Sequence, residues 1–218
     1  MYRASFAAAL LAAGLAALPA TTLAAESCDG VGAELATMVQ ADQAIRNRID
    51  LLDQLSAPQQ KLAGYMTLVD RTNTARLKTI VARCGWPARE KHGKQAEDDA
   101  WLLAQHADRD LAFQKRALAL IEEAILARGD SVDSNFAYLH DRVAVAEGRP
   151  QRYGTQLYSP SGKACSLEFR PLDKREQVDA RRAQLNLPPL ESYRKMVLDL
   201  QHCPAAGSDD YHYAPPGV

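Results

Sequence analysis

The chain has 218 residues, with 26 lysines and arginines against 27 aspartates and glutamates and a formal net charge of −1. A balance this even lacks the basic excess of a surface that binds nucleic acid or an anionic membrane, so no nucleic-acid partner is predicted. Aromatic residues make up 6% of the chain, so we expect a core built mainly from leucine, isoleucine, valine and alanine.

The first 25 residues follow the order of a secretory signal peptide. Arg3 precedes an apolar run at 6–18, and small residues follow at 21–25. The apolar run is too short to cross a bilayer as a helix, which takes about 20 residues. We therefore predict cleavage after Ala24 or Ala25 and export to the periplasm or the medium, with no transmembrane segment in the mature chain.

Two long helices are predicted at the start of the mature chain. Residues 31–55 carry apolar side chains at three- and four-residue steps, the spacing of one helix face. Ser56 and Gln59 form a capping box for a second helix over about 58–83, and Pro87 cannot continue it. Because the joint between them is short, the two helices are expected to be antiparallel, so that their outer ends meet.

Four cysteines, at positions 28, 84, 165 and 203, remain in the mature chain. An even number in an exported protein predicts disulfides, and the lack of a Cys-x-x-Cys spacing argues against structural zinc. The helix ends that meet carry Cys28 and Cys84, so we predict the pairs Cys28–Cys84 and Cys165–Cys203. A lipid anchor on Cys28 is the alternative, but Glu26 puts a charge where such a site has small apolar residues.

The middle of the chain predicts two further helices. The third begins near Lys94 and either continues or bends near Ala107 before Gly129 ends it. Asp133 or Ser134 caps the fourth helix.

The character of the chain then changes. Residues 153–158 and 163–169 flank a Ser-Pro-Ser-Gly turn and are predicted to form a β-hairpin. Helices return after Asp173 and from about 190 to 201.

These elements predict a mainly α fold: a helical bundle with a small two-stranded β-hairpin and two C-terminal helices. One domain would span 26–203, between the signal peptide at 1–25 and a tail at 204–218. The tail shows no periodicity and is expected to be disordered.

Polar residues interrupt the apolar faces of the predicted helices. They stand where the helical spacing calls for an apolar side chain: Asp42, Asp70, Asn73, His106, Asp110 and Gln114. Such groups are costly to bury unless they are paired or hydrogen-bonded, so we expect them to face one another inside the bundle, joined by Asp141 and Arg142. The alignment of His106 with Asp110 requires one continuous third helix.

Three interpretations of these residues stay open. The first is a structural network that only fixes packing, with Asp42 and Arg46 as a simple surface pair. The second is an acid–base site with His106, Asp110 and Asp141 as catalytic residues.

A divalent metal is the third interpretation. His106 and Asp110 would bind it together with Asp42 and Asp70, a nitrogen and oxygen donor set that suits zinc, iron or manganese. The sequence contains neither Glu-x-x-His nor His-Glu-x-x-His, so the spacing is not specific. We therefore predict no cofactor and keep the metal as an alternative.

Four stretches have a distinctive order and spacing: Gly-Trp-Pro at 85–87, a segment with Gln-His-Ala-Asp at 101–108, Ala-Tyr-Leu-His-Asp-Arg-Val at 137–143, and Gln-Arg-Tyr-Gly-Thr-Gln at 151–156. Over about 35–195 the chain resembles a widespread bacterial family known only as a domain of unknown function. The resemblance implies a mostly helical fold with a small hairpin and brings no established activity.

The stretches that carry the resemblance add candidate residues. Arg142, Gln151, Tyr153 and Gln156 are hydrogen-bonding types and are predicted to bind a ligand. The alternative is that Tyr153 and Gln156 only tie the hairpin to the fourth helix.

The leading prediction is an exported binding or accessory protein whose polar pocket takes an unknown small molecule or an envelope protein. The pocket would be lined by His106, Asp110, Asp141, Arg142 and Gln156, with Arg142 favouring a carboxylate. A cell-envelope hydrolase or other enzyme with His106 as general base is the alternative, and it requires His106 at the wall of an open cleft beside a carboxylate. A protein–protein interaction module is the third, and it predicts an exposed apolar patch of several hundred Å².

Overall fold

The computed structural model describes residues 27–50, 56–160 and 165–203, so the predicted signal peptide and tail lie outside the described residues. The elements of the described chain are α1 Val31–Arg46, α2 Ala57–Cys84, α3 Arg89–His92, α4 Lys94–Gln105, α5 Leu111–Ala127, α6 Ser134–Ala146, β1 Leu157–Tyr158, β2 Glu168–Phe169, α7 Arg175–Gln184 and α8 Leu190–Leu200. The predicted class, a mainly α bundle with a small hairpin and two C-terminal helices, is confirmed. None of the described helices has the length and apolar character needed to span a bilayer.

The pair α1 and α2 is antiparallel. A disulfide joins Cys28, just before α1, to Cys84 at the end of α2, as predicted. At the other end of α1, the Nη1 atom of Arg46 lies 3.1 Å from the sulfur of Met66, near the start of α2. This order of contacts brings the end of α1 beside the first half of α2.

The first helix is shorter than predicted, because α1 ends at Arg46 and the prediction extended to residue 55. The side chain of Gln59 was expected to reach back to Ser56. It instead accepts the N–H of Asp50 at 3.0 Å and donates to the carbonyl of Arg48 at 3.4 Å, which holds the chain after α1 in a turn. Ser56 does cap α2, since its Oγ accepts the N–H of Gln59.

Helix α4 is central and packs against α1, α2, α5 and α6. Its alanines Ala100 and Ala104 are fully buried, which lets neighbouring helices approach closely. The surrounding core is aliphatic, as the composition predicted: Leu35, Leu77, Ile80, Leu103, Ile121, Leu139. Burial of each large aliphatic side chain contributes about 1.5–3 kcal/mol to stability.

The predicted third helix is divided into α4 and α5, so of its two predicted courses the bend near Ala107 is the one observed. His106 is the C-cap of α4, and Asp110 is the N-cap of α5, where it accepts the N–H of Phe113 at 2.9 Å. The expected alignment of His106 and Asp110 on one helix face is therefore wrong. The two side chains instead belong to the ends of two helices, joined by a short segment at 106–110.

The β-hairpin is also shorter than predicted. Leu157 pairs with Phe169 and Tyr158 with Glu168 in an antiparallel register, whereas the predicted strands began at residues 153 and 163. A second disulfide, between Cys165 and Cys203, ties the chain before β2 to the chain after α8, as predicted.

Candidate functional site

A cavity of about 580 Å³ lies between α2 and the 106–110 segment. Polar and charged side chains form most of its wall: Thr67, Asp70, Arg71, Thr74, Lys78, His106, Asp108, Arg109 and Asp110. Small-molecule sites typically enclose about 300–1,000 Å³, so the cavity has the size for a small ligand. We call it the α2 cavity.

His106 is held at the wall of this cavity by a carboxylate from α1. Its Nδ1 atom lies 3.0 Å from Oδ1 of Asp42, and the side chains are 18% and 1% exposed respectively. The other ring nitrogen, Nε2, makes no hydrogen bond to any described part of the chain. One nitrogen is thus fixed toward the interior and the other is available to a ligand.

Two neighbours contact Nδ1 of His106. A carboxylate oxygen only accepts, so the contact with Asp42 at 3.0 Å is a hydrogen bond when Nδ1 carries the proton. The N–H at Nε of Arg46 is directed at Nδ1 as well, at 3.1 Å, but it also donates to Oδ1 of Asp42 at 3.2 Å and so keeps a charged acceptor when Nδ1 is protonated. The charged carboxylate therefore favours the Nδ1–H tautomer, which leaves the lone pair on Nε2, the state that can accept a proton.

Arg46 is the central cation of the site, which the sequence interpretation treated as one half of a surface pair. Its Nη2 atom lies 2.5 Å from Oδ1 of Asp70 on α2, and its Nε donates to Asp42 on α1. The sequence predicted that Asp42 faces the interior, but nothing in it indicated that Arg46, four residues further along, follows it there. We call Asp42, Arg46, Asp70 and His106 the polar cluster.

The two carboxylates of the polar cluster differ in acidity. Burial raises the pKa of Asp42, but the hydrogen bond and charge of His106 and the charge of Arg46 outweigh it, so the pKa lies below its ordinary value. Burial also raises the pKa of Asp70, and here the attraction of Arg46 and His106 does not compensate, so the pKa lies above its ordinary value. Asp42 therefore remains charged when Asp70 takes up a proton.

The polar cluster partly matches the predicted metal ligands. One ligand atom each from Asp42, Asp70 and His106 falls within 4.8 Å of the others. Arg46 already supplies a positive charge between the two carboxylates, so a divalent ion would have to displace its guanidinium. The geometry therefore favours an arginine-centred cluster over a metal centre.

Asp110 lines the α2 cavity without joining the polar cluster. Its Oδ1 caps α5, and its Oδ2 lies 2.5 Å from Nζ of Lys78 on α2. The hydrogen bond from Lys78, followed by that from the N–H of Phe113, lowers the pKa of Asp110. Both oxygens are thus occupied, so the predicted partnership with His106 is not observed.

Asp141 lies elsewhere, with no exposed surface, and does not line the α2 cavity. Its carboxylate accepts the backbone N–H groups of Arg152, Tyr153 and Thr155 at 2.9–3.2 Å and the hydroxyl of Thr155 at 3.2 Å. The expectation that Asp141 faces His106 is therefore corrected. Asp141 anchors residues 151–156 to α6, because backbone donors in a buried loop need an acceptor.

Gln151, Tyr153 and Gln156 come together in the same loop, but away from the α2 cavity. The amide of Gln151 donates to the carbonyls of Gln156 and Arg170, and its oxygen accepts the N–H of Gln156 at 2.6 Å. The Nε2 atom of Gln156 donates to the carbonyl of Tyr138 on α6 at 3.4 Å. These contacts favour the interpretation in which the loop residues tie the hairpin to α6, the fourth helix of the sequence prediction.

Arg142 does not point a free guanidinium into the cavity. Its Nη1 atom lies 2.8 Å from both carboxylate oxygens of Asp108 in the segment between α4 and α5. Gln114 on α5 donates to the same carboxylate at 3.2 Å. Asp108 thus joins α5 and α6 to the segment that carries His106, and Arg142 positions that segment.

The fold and the site define a helical, disulfide-bonded protein with a polar cavity beside a histidine–carboxylate pair. A model of a family of unknown function, DUF6624, matches residues 29–203, and the chain belongs to that family. Neither the curated proteins nor the solved structures yield a match. Family membership brings no activity with it, so a function has to be argued from the geometry.

Proposed function

We propose that the chain is an exported binding protein that holds a small polar ligand in the α2 cavity, with Nε2 of His106 as its central contact. The observation that supports this most directly is the position of His106, whose inner nitrogen contacts Asp42 and whose outer nitrogen is left without a partner in the described chain. Export is supported by the two disulfides, which persist in oxidising compartments.

A hydrolase is the second candidate, and one observation favours it. A histidine oriented by a buried carboxylate at an open cavity wall is the arrangement that lets the ring act as a general base. In this role Asp42 would stabilise the ring as Nε2 takes a proton from a bound water. Arg71 and Arg109 line the same wall and would stabilise negative charge that develops on the substrate.

The interaction-module alternative receives less support. The large apolar side chains with the greatest exposure in the described chain are distributed over α2, α5 and α8: Tyr65, Leu68, Leu126, Met196 and Leu200. No more than two of them share a helix, whereas a docking surface requires a contiguous apolar patch.

A thermal-shift screen of a metabolite library tests the proposal on three proteins: wild type, His106→Asn and His92→Asn. His92 lies on α3 and does not line the α2 cavity, so it serves as the matched histidine control. A ligand of the cavity should stabilise wild type and His92→Asn and lose most of its effect on His106→Asn. A ligand that stabilises all three proteins equally would remove His106 from the site.

Chemical analysis of each stabilising compound after incubation separates the two candidates. Intact compound supports a binding protein, whereas products that appear with wild type and not with His106→Asn support a hydrolase.

A further inference from the structure

The α2 cavity continues into a second cavity along the same helix. The second cavity encloses about 690 Å³ between α2 and α5 and shares Ala75, Lys78 and Asp110 with the first. On α2 the two cavities extend from Thr67 to Ala82, a distance of roughly 22 Å at the helical rise per residue. We call the two together the α2–α5 groove.

The carboxylates of the groove wall are already paired with cations. Asp70 pairs with Arg46, Asp108 with Arg142, and Asp110 with Lys78, at 2.5–2.8 Å in each case. Arg46 also serves the buried Asp42, whereas Arg142 and Lys78 each serve one acid of the wall.

Three arginines of the groove remain without such partners. Arg71 on α2, Arg109 in the 106–110 segment and Arg116 on α5 are exposed and make no hydrogen bond, ion pair or ring contact within the described chain. Most other described arginines are paired or stacked on an aromatic ring. Three unpaired guanidinium groups from three separate parts of the chain therefore line one groove.

Their positions divide the groove into two ends. Arg71 and Arg109 line only the first cavity, and Arg116 lines only the second. The α2 residues that line only the first cavity and those that line only the second are centred about ten residues apart, or about 15 Å along the helix. Between them lies the Lys78–Asp110 pair, which is neutral as a unit.

We infer that the groove binds an elongated molecule with an oxyanion group at each end, carboxylate or phosphate. Arg71 and Arg109 hold one group beside His106, and Arg116 holds the other. Guanidinium forks bind carboxylate and phosphate through two parallel hydrogen bonds, which makes arginine the suitable residue at both ends. This inference rests on the proposed ligand-binding role of the α2 cavity and adds the class of ligand.

Calorimetric titration tests the inference with linear dicarboxylates from succinate to sebacate and with their monomethyl esters. Each ester keeps the carbon chain of its parent acid and has one charge fewer. We expect the longer diacids to bind at least tenfold more tightly than their esters, because only a diacid that spans the groove engages both ends. The α,ω-bisphosphates of the same chains show which oxyanion is preferred.

Four variants locate the contacts. Arg116→Ala should reduce the affinity for suberate to the affinity that wild type has for monomethyl suberate. Arg71→Ala and Arg109→Ala should weaken the binding of suberate and of its monomethyl ester. Arg48→Ala is the matched control, because Arg48 is also exposed and without an ion pair in the described chain but lies outside the groove. Circular dichroism before each titration confirms that a variant is folded.

The outcomes separate the two proposals. Equal affinity for suberate and its ester would overturn the two-ended ligand and leave the α2 cavity as a single-anion site. An equal loss on Arg48→Ala and Arg116→Ala would also overturn it, because the effect would then reflect overall charge. If no anion binds but the metabolite screen finds a His106-dependent neutral ligand, the inference fails and the proposed function stands.

Discussion

The Nδ1 atom of His106 lies 3.0 Å from Oδ1 of Asp42, although 64 residues separate the two in sequence. This contact connects the end of α4 to α1 and sets the direction of the imidazole ring. It makes the protonation pattern of the ring measurable, because the carboxylate selects one of the two neutral tautomers.

Nitrogen-resolved NMR of the histidine side chains should show neutral His106 with its proton on Nδ1. In Asp42→Asn the charged acceptor is lost, and we expect the signal to shift toward the Nε2–H tautomer that predominates in free imidazole side chains. A second histidine, His140, also lies beside a buried carboxylate, with its Nδ1 atom 3.3 Å from Asp141. The variant His140→Gln removes its signal from the spectrum and should leave the His106 signal in place. An unchanged tautomer in Asp42→Asn would contradict the assigned hydrogen bond.

Arg46→Met should destabilise the protein and create a metal site. Removal of the guanidinium leaves the buried Asp42 beside Asp70 without its cation, at a cost of about 3 kcal/mol. Urea denaturation with and without Zn²⁺ measures both effects: added Zn²⁺ should restore stability to the variant and leave wild type unchanged.

Arg48→Met is the control for this experiment, because Arg48 lies two residues further along, is exposed and makes no ion pair in the described chain. It should retain wild-type stability and gain nothing from Zn²⁺. Stabilisation of the wild type by Zn²⁺ would instead show that a metal displaces Arg46.

The fold could be predicted from the sequence wherever one signal dominated. Helical periodicity, together with the meeting of antiparallel helix ends, sufficed for the Cys28–Cys84 pair. The break between α4 and α5 was harder, because residues 106–110 contain neither glycine nor proline. The signal for the break that the sequence did contain was Asp110, a residue type that caps helices. The Asp108–Arg142 contact that fixes the bend forms between distant parts of the chain, so the sequence did not indicate it.

The site could be predicted only in part, because a sequence shows which polar groups are costly to bury but not which ones meet. His106, Asp42 and Asp70 do come together, while Asp141 finds its partners in backbone N–H groups of a loop. Arg46 was missed because a four-residue spacing to an aspartate is common on exposed helices.

Asp141→Asn should destabilise the protein strongly without a specific effect on the α2 cavity. The introduced amide group would face the N–H donors of the 151–156 loop, and loss of a charged acceptor for several buried donors costs about 3 kcal/mol. Chemical denaturation provides the measurement, with Asp199→Asn as the control. Asp199 forms an exposed pair with Lys195, so its replacement should cost less than about 1 kcal/mol.

The Lys78–Asp110 pair should contribute to acid sensitivity. The pKa of Asp110 is lowered in the folded protein, so its contribution to stability is present above the unfolded pKa of about 3.9 and is lost as the pH falls through the folded pKa. Asp110→Asn keeps an acceptor for the N–H of Phe113 but no longer titrates there. Its unfolding free energy should therefore fall less steeply than that of wild type as the pH is lowered below about 4.

Lys78→Met completes a thermodynamic cycle for this pair. It should flatten the same acid limb, and the double variant should add little, since one interaction is removed by either change. The difference at neutral pH should stay below about 1 kcal/mol, because the pair is partly exposed. An additive double variant would show that the two side chains do not interact in the folded protein.

Gly154→Ala and Gly148→Ala should differ in cost although both glycines have positive φ angles, +64° and +73°. A Cβ at Gly154 would clash with Cδ2 of Leu190 and lie 3.1 Å from Cδ2 of Leu172, whereas a Cβ at Gly148 meets nothing within 4 Å. Gly148→Ala should cost about 1 kcal/mol from backbone strain alone. Gly154→Ala should cost about 1–3 kcal/mol more, measured by denaturation, because the buried side chain of Leu190 must move.

The Cys28–Cys84 bridge has a practical consequence for anyone who purifies the protein. Helix α1 has 16 residues and supplies Asp42 and Arg46 to the polar cluster. A helix of this length is only marginally stable in isolation, so its contacts with the rest of the protein, the disulfide among them, hold it in position. Material made in a reducing cytoplasm would lose the covalent attachment at the start of α1, and the ring of His106 would lose its fixed partner whenever the helix moved. A negative ligand screen on such a preparation would reflect the reduced disulfide and would not test the α2 cavity. Oxidative refolding with glutathione forms the disulfide before the screen.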